Sequence, residues 1–318
     1  MRPSFDQLLG DLANPQVALP VDQLDLLSDL DQAQMDRLIQ VWPGLPEARR
    51  LLLVTHLGQL ADTHFELSFE RINRFALNDP APDVRRVAIA NLWECDDPTL
   101  AEPLRLTLVS DAEEAVRSAA ADALGHFVYL GELDRLPGAS QQQLEDALLA
   151  AVRADPGSPV SLRCLESLGY SSRREVPDLV EAAYRSDVEE RRRSALCAMG
   201  RSASTRWADS VVDALNSPSP ALRAEAARAA GELELRRATA TLIELLEDVK
   251  EEVRQASIWS LGQIGGQEAA EALESLLERS PDPQEAALID DALENLAFLE
   301  AAPDLAMLDF DQPEDDED

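Results

Sequence analysis

The chain is short of the residues that most metal sites and disulfide frameworks need. Only three of its 318 residues are cysteine and three are histidine, and they form neither a Cys-x-x-Cys pair nor a His-x-x-x-His pair. This spacing excludes the usual zinc sites, and we predict no metal, no cofactor and no catalytic residue. An odd number of scattered cysteines also favours free thiols, which are typical of the cytoplasm.

Long apolar runs are missing as well. No stretch of about 18 apolar residues occurs, and this excludes a transmembrane helix. The first residues, Met1–Gln7, lack the apolar core of a signal peptide. We therefore predict a cytoplasmic protein without a membrane partner.

Basic residues are few, and only one of them, Lys250, is a lysine. The 28 basic residues face 61 acidic residues, and the formal net charge is −33. Nucleic-acid binding depends on neutralising phosphates with Lys and Arg, and anionic membrane surfaces demand the same. The charge balance therefore predicts a partner that is neither nucleic acid nor membrane.

What the sequence does contain is a repeat, Val-Arg-x-x-(Ala/Ser)-x-x-x-Leu-Gly. Clear copies run from Val116 to Gly125 and from Val253 to Gly262. The residues that occupy its arginine position are Arg50, Arg85, Arg117, Ser161, Arg192, Arg223, Arg254 and Ile289. Three consecutive steps are 31 residues long, and the one long step, after Arg117, holds an insertion near residues 131–143. A fixed period of this length predicts a solenoid of stacked units, with degenerate outer copies at Arg50 and Ile289.

Each unit is predicted to be a pair of helices. In one copy the first helix covers Ala240–Glu247, and the second helix, which carries the arginine position, begins at Val253. The small residue at Ser257 lets neighbouring helices approach closely, and we expect Gly262 to end its helix as a left-handed cap. An acidic or hydroxyl residue stands six positions before most of the arginines and suits the turn between the two helices. We expect these turn residues and the arginines to pair in a ladder.

The repeat resembles the HEAT-repeat family, and in particular its short form, the phycobilisome-lyase type, over residues 47–300. The resemblance implies an all-α fold: a right-handed α-solenoid of about seven to eight HEAT-like helical pairs, with the Val-Arg helices on the concave face. It also implies an alternative function, as a subunit of an enzyme that attaches or isomerises a bilin chromophore.

Both ends of the chain depart from the repeat. Residues 1–46 are predicted to be an N-terminal helical cap with amphipathic helices at Ser4–Ala13 and Asp31–Val41, or alternatively a small docking module. Residues 301–318 are predicted to be a disordered acidic tail. The alternative for the tail is a short binding peptide anchored by Met307, Leu308 and Phe310.

Positions three and seven residues before the repeat glycine should point away from the core. If the family geometry holds, they line the concave groove. The candidate partner-binding residues among them are Arg86, Arg193, Arg228, Gln255 and Trp259. Trp259 is a large aromatic residue at a position that faces solvent, as expected for an interface anchor. Packing over the seam between two repeats is the alternative for this side chain.

A second candidate site is a cluster of arginines in an otherwise acidic chain. Arg173 and Arg174 lie in one turn between repeats, Arg201 and Arg206 lie in the next, and we expect the two turns to stack. Each turn leads into a helix N-terminus, where free N–H groups favour an anion. We predict a site for an acidic peptide or a phosphate group, with ordinary helix capping and solvated arginines as the alternative.

Taken together, these features predict a non-catalytic, cytoplasmic and monomeric scaffold, adaptor or assembly factor. Its protein partner should bind on the concave face of the solenoid. The chromophore-lyase subunit remains the alternative function.

Overall fold

A computed structural model describes the backbone of residues 4–305 and the side chains of residues 4–298. The backbone in this range is helical or in turns, with no strand. The N-terminal region contains α1 (Phe5–Ala13) and α2 (Gln32–Val41). Ser4 caps α1 and Asp31 caps α2, each in a capping box with the glutamine three residues later. The two predicted amphipathic helices are thus confirmed, and the role of the segment as a cap or a docking module stays a prediction.

Contacts divide the chain into two units, and the first ends at Ser171. Its remaining helices are α3 (Glu47–Thr63), α4 (Glu70–Ala76), α5 (Pro82–Ala90), α6 (Ala101–Ser110), α7 (Glu114–Glu132), α8 (Gly138–Ala154) and α9 (Pro159–Leu168). The second helices of the pairs, α3, α5, α7 and α9, pack against one another in series, and each of α5, α7 and α9 also packs against the first helix of its own pair. This arrangement is the stacked pairing that the repeat predicts.

The second unit begins at Ser172. Its helices are α10 (Val176–Tyr184), α11 (Glu189–Arg201), α12 (Ala208–Ala214), α13 (Pro220–Glu232), α14 (Thr239–Leu245), α15 (Glu251–Ile264), α16 (Gln267–Arg279) and α17 (Pro283–Leu305). Here α11, α13, α15 and α17 are the second helices and pack in series. The all-α solenoid of helical pairs is thus confirmed.

The core of each pair is built from the apolar positions of the repeat. Val116 and Leu124 on α7, and Val253 and Leu261 on α15, are fully buried. Burying a side chain of this size stabilises the fold by about 1.5–3 kcal/mol. Cys164 is also fully buried, at a position where most copies have alanine, and it therefore takes the place of a small core residue.

The long step in the repeat is taken up by helix. Residues 131–143, predicted to be an insertion, lie at the end of α7, which has 19 residues, and the start of α8, which has 17 residues. The reversal between them is short and includes Asp134, whose φ is 58°. The added residues therefore lengthen both helices of the hairpin.

The prediction for Gly262 is wrong. Helix α15 continues past it to Ile264, and the positive φ angles belong to Gly265 and Gly266. Gly262 is needed for another reason, since α17 lies directly against it. A Cβ atom at Gly262 would lie 2.9 Å from Cβ and 3.0 Å from Cα of Ala292. The repeat glycine here permits close approach of two helices.

The far end of the chain is helical for longer than expected. Helix α17 extends to Leu305, past the start of the predicted tail at residue 301. The rest of that tail, with Met307, Leu308 and Phe310, lies outside the described residues. Its disorder and its binding role therefore remain predictions.

Candidate interaction surfaces

The repeat arginines form a ladder that links successive helical pairs. In the first unit, Arg85 on α5 donates through Nε and Nη2 to the two carboxylate oxygens of Asp111, both at 2.8 Å. Its Nη1 donates to the backbone carbonyl of Asp79, at 2.8 Å. One arginine thus holds the turn of its own pair and the turn of the next pair.

The same contact recurs along the chain. Arg50 pairs with Asp79 and Arg223 pairs with Asp248, each at 2.8 Å, and Arg254 pairs with Glu285 at 3.1 Å. The pairs of Arg50, Arg85 and Arg223 with turn acids confirm the predicted ladder in part. Arg254 pairs with a residue of α17 instead, and among the described residues no carboxylate pairs with Arg192. The copy at Arg50 keeps its contact although its sequence is degenerate. Because these arginines are committed to structural contacts, they are poor candidates for catalysis or partner binding.

The turn aspartates have a second structural contact. Oδ1 of Asp79 accepts a hydrogen bond from the N–H of Ala81, and Asp111 and Asp248 accept in the same way from the residue two positions later. Burial raises the pKa of Asp79, but hydrogen bonds from Arg50, Trp42 and the Ala81 N–H outweigh it and hold the pKa below its ordinary value. Asp79 therefore remains charged inside the fold.

The ladder is interrupted at Arg117. Its Nη1 donates to the carbonyls of Asp111 and Ala112, as the other arginines do in their own turns. Within the described residues, however, no carboxylate pairs with Arg117. The next turn, at Asp155, follows the long hairpin of α7 and α8, and Asp155 is exposed. The insertion has therefore removed one arginine–carboxylate pair, or rung, from the ladder.

Four of the predicted partner-binding residues lie in the second unit. Arg193 lies on α11, Arg228 on α13, and Gln255 with Trp259 on α15, three helices that pack in series. Arg228 and Gln255 are exposed, and Arg193 is half-buried. The fifth residue, Arg86, is exposed on α5 in the first unit.

Trp259 packs over the seam, as its alternative prediction states, and its role as an interface anchor stays a prediction. Its side chain is 36% exposed. The ring also lies over the preceding repeat, because a Cβ atom on Gly231 would come within 2.7 Å of Cζ3 of Trp259. The indole therefore packs on the α13–α15 seam and still presents surface to solvent.

The spacing rule for outward-facing residues fails at two other positions. Glu166 on α9 is 3% exposed, and Ala224 on α13 is 3% exposed. Glu166 pairs with Arg163 on a helix that packs along the 19-residue α7. Distance from the repeat glycine therefore does not by itself predict exposure.

The exposed candidates are held by weak contacts with acids on their own helices. Arg228 lies 3.6 Å from Glu225, and Gln255 donates to Glu251 at 2.8 Å. Arg86 lies 3.8 Å from Asp83. Exposed pairs of this type contribute about 0–1 kcal/mol, and a partner can replace them at small cost.

One charged residue near this surface escaped the sequence reasoning. Glu232 is exposed as a whole, but its carboxyl group lies against α11, since a Cβ atom on Gly200 would come within 2.2 Å of Oε2. Burial of the carboxyl group raises its pKa to about 7, against the opposing charges of Arg201 and Arg228, and Glu225 raises the pKa further. No pattern in a single sequence indicates that a carboxylate will contact a glycine on a neighbouring helix.

The predicted anion site consists of residues that already have local contacts. Arg173 pairs with Glu175 at 3.1 Å, and the guanidinium of Arg206 stacks 4.6 Å from the ring centre of Trp207. Glu175 is itself the N-cap of α10, and Arg174 is exposed. Arg201 is half-buried and lies near Glu232. Anion binding and the capping alternative both stay predictions.

The described part of the chain offers neither a metal-binding cluster nor a membrane-spanning helix. Among the described side chains, no group of three or more His, Cys, Asp or Glu residues is arranged to hold a metal ion. Cys95 and Cys164 are free cysteines. Over the part of the chain that the structure covers, every helix is too short or too polar to span a bilayer.

Solved structures of similar shape include yeast importin-beta. The two chains are 12% identical, the alignment covers 92% of this chain and 46% of the importin chain, and the TM-score is 0.51. At this identity the likeness extends to the fold alone. Human deoxyhypusine hydroxylase, in a complex with glycerol, is 20% identical over 92% of this chain and 96% of that chain. Its TM-score of 0.39 supports no argument.

Sequence comparisons lead to the family. A search of curated proteins finds no match. The family model for HEAT repeats matches residues 74–142 and 208–294, one region in each unit. The ladder arginines Arg85, Arg117, Arg223 and Arg254 fall inside these matches. With the stacked helical pairs and the importin-like fold, these matches identify the chain as a HEAT-repeat protein.

Proposed function

We propose that the chain is a non-catalytic scaffold or adaptor that binds a protein partner through the second helices of its second unit. The observation that carries this proposal is the placement of Trp259, which packs on the α13–α15 seam and still exposes 36% of its surface. An aromatic ring that already packs on its own chain loses little conformational freedom when a partner covers it. Aromatic and arginine residues are the usual anchors of such interfaces.

The surroundings of Trp259 indicate what the partner offers. Arg228 and Gln255 are exposed beside it on α13 and α15, and Arg193 is half-buried on α11. The contacts of Arg228 and Gln255 with acids of their own helices are weak, so a partner can displace them. We propose a partner that places an apolar side chain on the indole and acidic groups on the arginines. With a net charge of −33, the chain should bind neither nucleic acid nor membranes, and we propose that it acts as a cytoplasmic monomer.

Affinity capture from the native host tests the role of Trp259. We expect a partner that is retained by the wild-type chain and reduced by about 10-fold or more with Trp259→Ala, the loss typical of an interface anchor. Arg228→Glu should give a similar loss and leaves the packing on Gly231 intact. Val249→Ala is the matched control, because Val249 is an exposed apolar residue in the turn that precedes α15.

Capture is quantified by mass spectrometry, and circular dichroism checks that each variant is folded. Retention of the same proteins by all three variants would show that this surface is not the binding site. A bilin bound covalently to a carrier after coexpression would instead favour the chromophore-lyase alternative, which rests on the repeat pattern alone.

Glu232 gives the same surface a dependence on pH. Its pKa of about 7 means that the carboxyl group is mostly neutral below pH 7 and mostly charged above it. Its negative charge near Arg201 and Arg228 opposes an acidic partner, and we therefore expect binding to strengthen as the pH falls from 8 to 6. Affinity measured against pH for the captured partner should become flatter in Glu232→Gln. A wild-type profile that is flat, or that the substitution leaves unchanged, would contradict this expectation.

A further inference from the structure

A groove lies between α6 and α8 on the first helices of the first unit. It holds about 430 Å³ and is lined on one side by Leu108 and Val109 of α6. The opposite wall is the alanine-rich side of α8, which includes Ala147 and Ala151. Val109 is 62% exposed, and the α6 wall therefore presents apolar surface to solvent. The small side chains of α8 leave room for a chain that lies along the groove.

Arg117 lies at this groove as its one basic residue. Its half-buried guanidinium uses Nη1 for the carbonyls of Asp111 and Ala112. In Arg85, the equivalent residue one pair earlier, Nε and Nη2 donate to both carboxylate oxygens of Asp111. The same edge of Arg117 has no carboxylate partner among the described side chains.

The sequence accounts for this difference. The turn acid that should pair with Arg117 is Asp155, which follows the lengthened hairpin. Asp155 also lines the groove, together with Glu114, but both are exposed and neither forms an ion pair with Arg117 in the described part of the chain. A fork of two N–H donors beside apolar walls is suited to one carboxylate flanked by apolar side chains.

We propose that this groove is a second binding site, which takes an acidic and apolar peptide segment of a partner protein. A carboxylate of the peptide occupies on Arg117 the place that Asp111 occupies on Arg85. Apolar side chains next to it cover Val109 and the alanine wall of α8. The site is separate from the surface proposed in the second unit and does not depend on it.

Selection from a library of random displayed peptides, with the full chain as bait, tests this site. We expect enriched peptides to carry an Asp or Glu within one helical turn of Leu, Ile, Met or Phe. Synthetic copies of these peptides should bind Arg117→Gln about 10- to 100-fold more weakly, as is typical when a hydrogen-bonded charge pair is removed. Val109→Glu, at an exposed position, should weaken binding without affecting the core.

Arg153→Gln is the charge-matched control, because Arg153 is exposed on α8 outside the groove. It should bind the peptides like the wild-type chain, and Asp155→Asn should bind them more tightly because a competing carboxylate is removed. Enriched peptides without acids, no enrichment, or equal binding to Arg117→Gln would each overturn the proposal. Binding that requires Asp155→Asn would also overturn it, since Asp155 would then be the residue that occupies Arg117 in the native chain.

Discussion

At the scale of single residues, the ladder arginines link one helical pair to the next. Arg50 is 8% exposed and Asp79 is 4% exposed, and the pair is reinforced by the indole N–H of Trp42, which donates to Asp79 at 2.7 Å. Removing one partner from a buried pair leaves the other charge without compensation, which is costly. Loss of one ladder residue is therefore destabilising mainly because it leaves the charge of its partner unpaired.

Asp79→Asn should lower the free energy of unfolding at pH 7 by about 3 kcal/mol, because Arg50 remains buried without its carboxylate. A carboxyl group whose pKa is lowered by folding stabilises the protein above its ordinary pKa of about 3.9. That contribution is lost as the pH falls through the lower value of the folded state. Urea unfolding of both proteins should therefore show a difference that shrinks in acid.

Asp122→Asn provides the control, since Asp122 is exposed on α7. Its free energy of unfolding should follow that of the wild-type chain across the same pH range. A stability difference between wild type and Asp79→Asn that stays constant down to about pH 2 would argue against the paired carboxylate as its source.

At the scale of helices, the repeat glycines decide how closely successive second helices pack. A Cβ atom at Gly58, Gly125, Gly200, Gly231 or Gly262 would come within 3.0 Å of an atom of the following repeat. The facing residues include Ser167 and Ser260, whose hydroxyl groups donate to carbonyls of the preceding second helix, at 2.8 Å and 2.6 Å. Short contacts at the glycines and buried hydrogen bonds from the serine hydroxyls together fix the packing of successive second helices.

Gly262→Ala should therefore destabilise the chain by about 1–3 kcal/mol, although alanine favours helices, because Ala292 must move away from the new methyl group. Gly10→Ala is the matched control, since Gly10 lies within α1 with no atom in the way of a Cβ. That substitution should stabilise the chain by up to about 1 kcal/mol. Thermal and urea unfolding compare the two, and a stabilising effect at Gly262 would refute the close-packing explanation.

The sequence predicted the ladder well because its arginines and turn acids recur at a fixed spacing. It misassigned Gly262 because a glycine near the end of a helical pattern suits both a left-handed cap and a tight helix crossing. The burial of Glu166 and the position of Glu232 depend on neighbouring helices that are remote in sequence. The empty rung at Arg117 was hidden for the same reason, although the long step after it was visible.

At the scale of the whole molecule, the main electrostatic feature is the large negative net charge. A formal net charge of −33 on 318 residues produces repulsion that every folded arrangement must withstand. The ladder pairs are largely shielded from solvent, with side-chain exposures of 14% and 10% for Arg85 and Asp111. Salt screens exposed charges more effectively than partly buried ones.

Raising the NaCl concentration from about 0.01 M to about 0.5 M should therefore increase the melting temperature, because it screens repulsion more than it weakens the ladder. Replacing Glu274 and Glu278, two exposed acids four residues apart on α16, with glutamine should raise the melting temperature at low salt and reduce its dependence on salt. Calorimetry measures both effects. A melting temperature that falls as salt is added would mean that screened ion pairs outweigh repulsion.

The ion pairs of Arg223 and Arg254 have a consequence for how such a chain can gain further repeats. Residues 223–253 contain one ladder arginine, Arg223, and the turn acid, Asp248, to which it donates, and the next block begins with Arg254. A tandem duplication of this block would supply every new ladder arginine with a matching acid and every new turn with a matching donor. Lengthening by whole blocks thus needs no compensating change elsewhere, whereas the insertion after Arg117 leaves a donor without its acceptor.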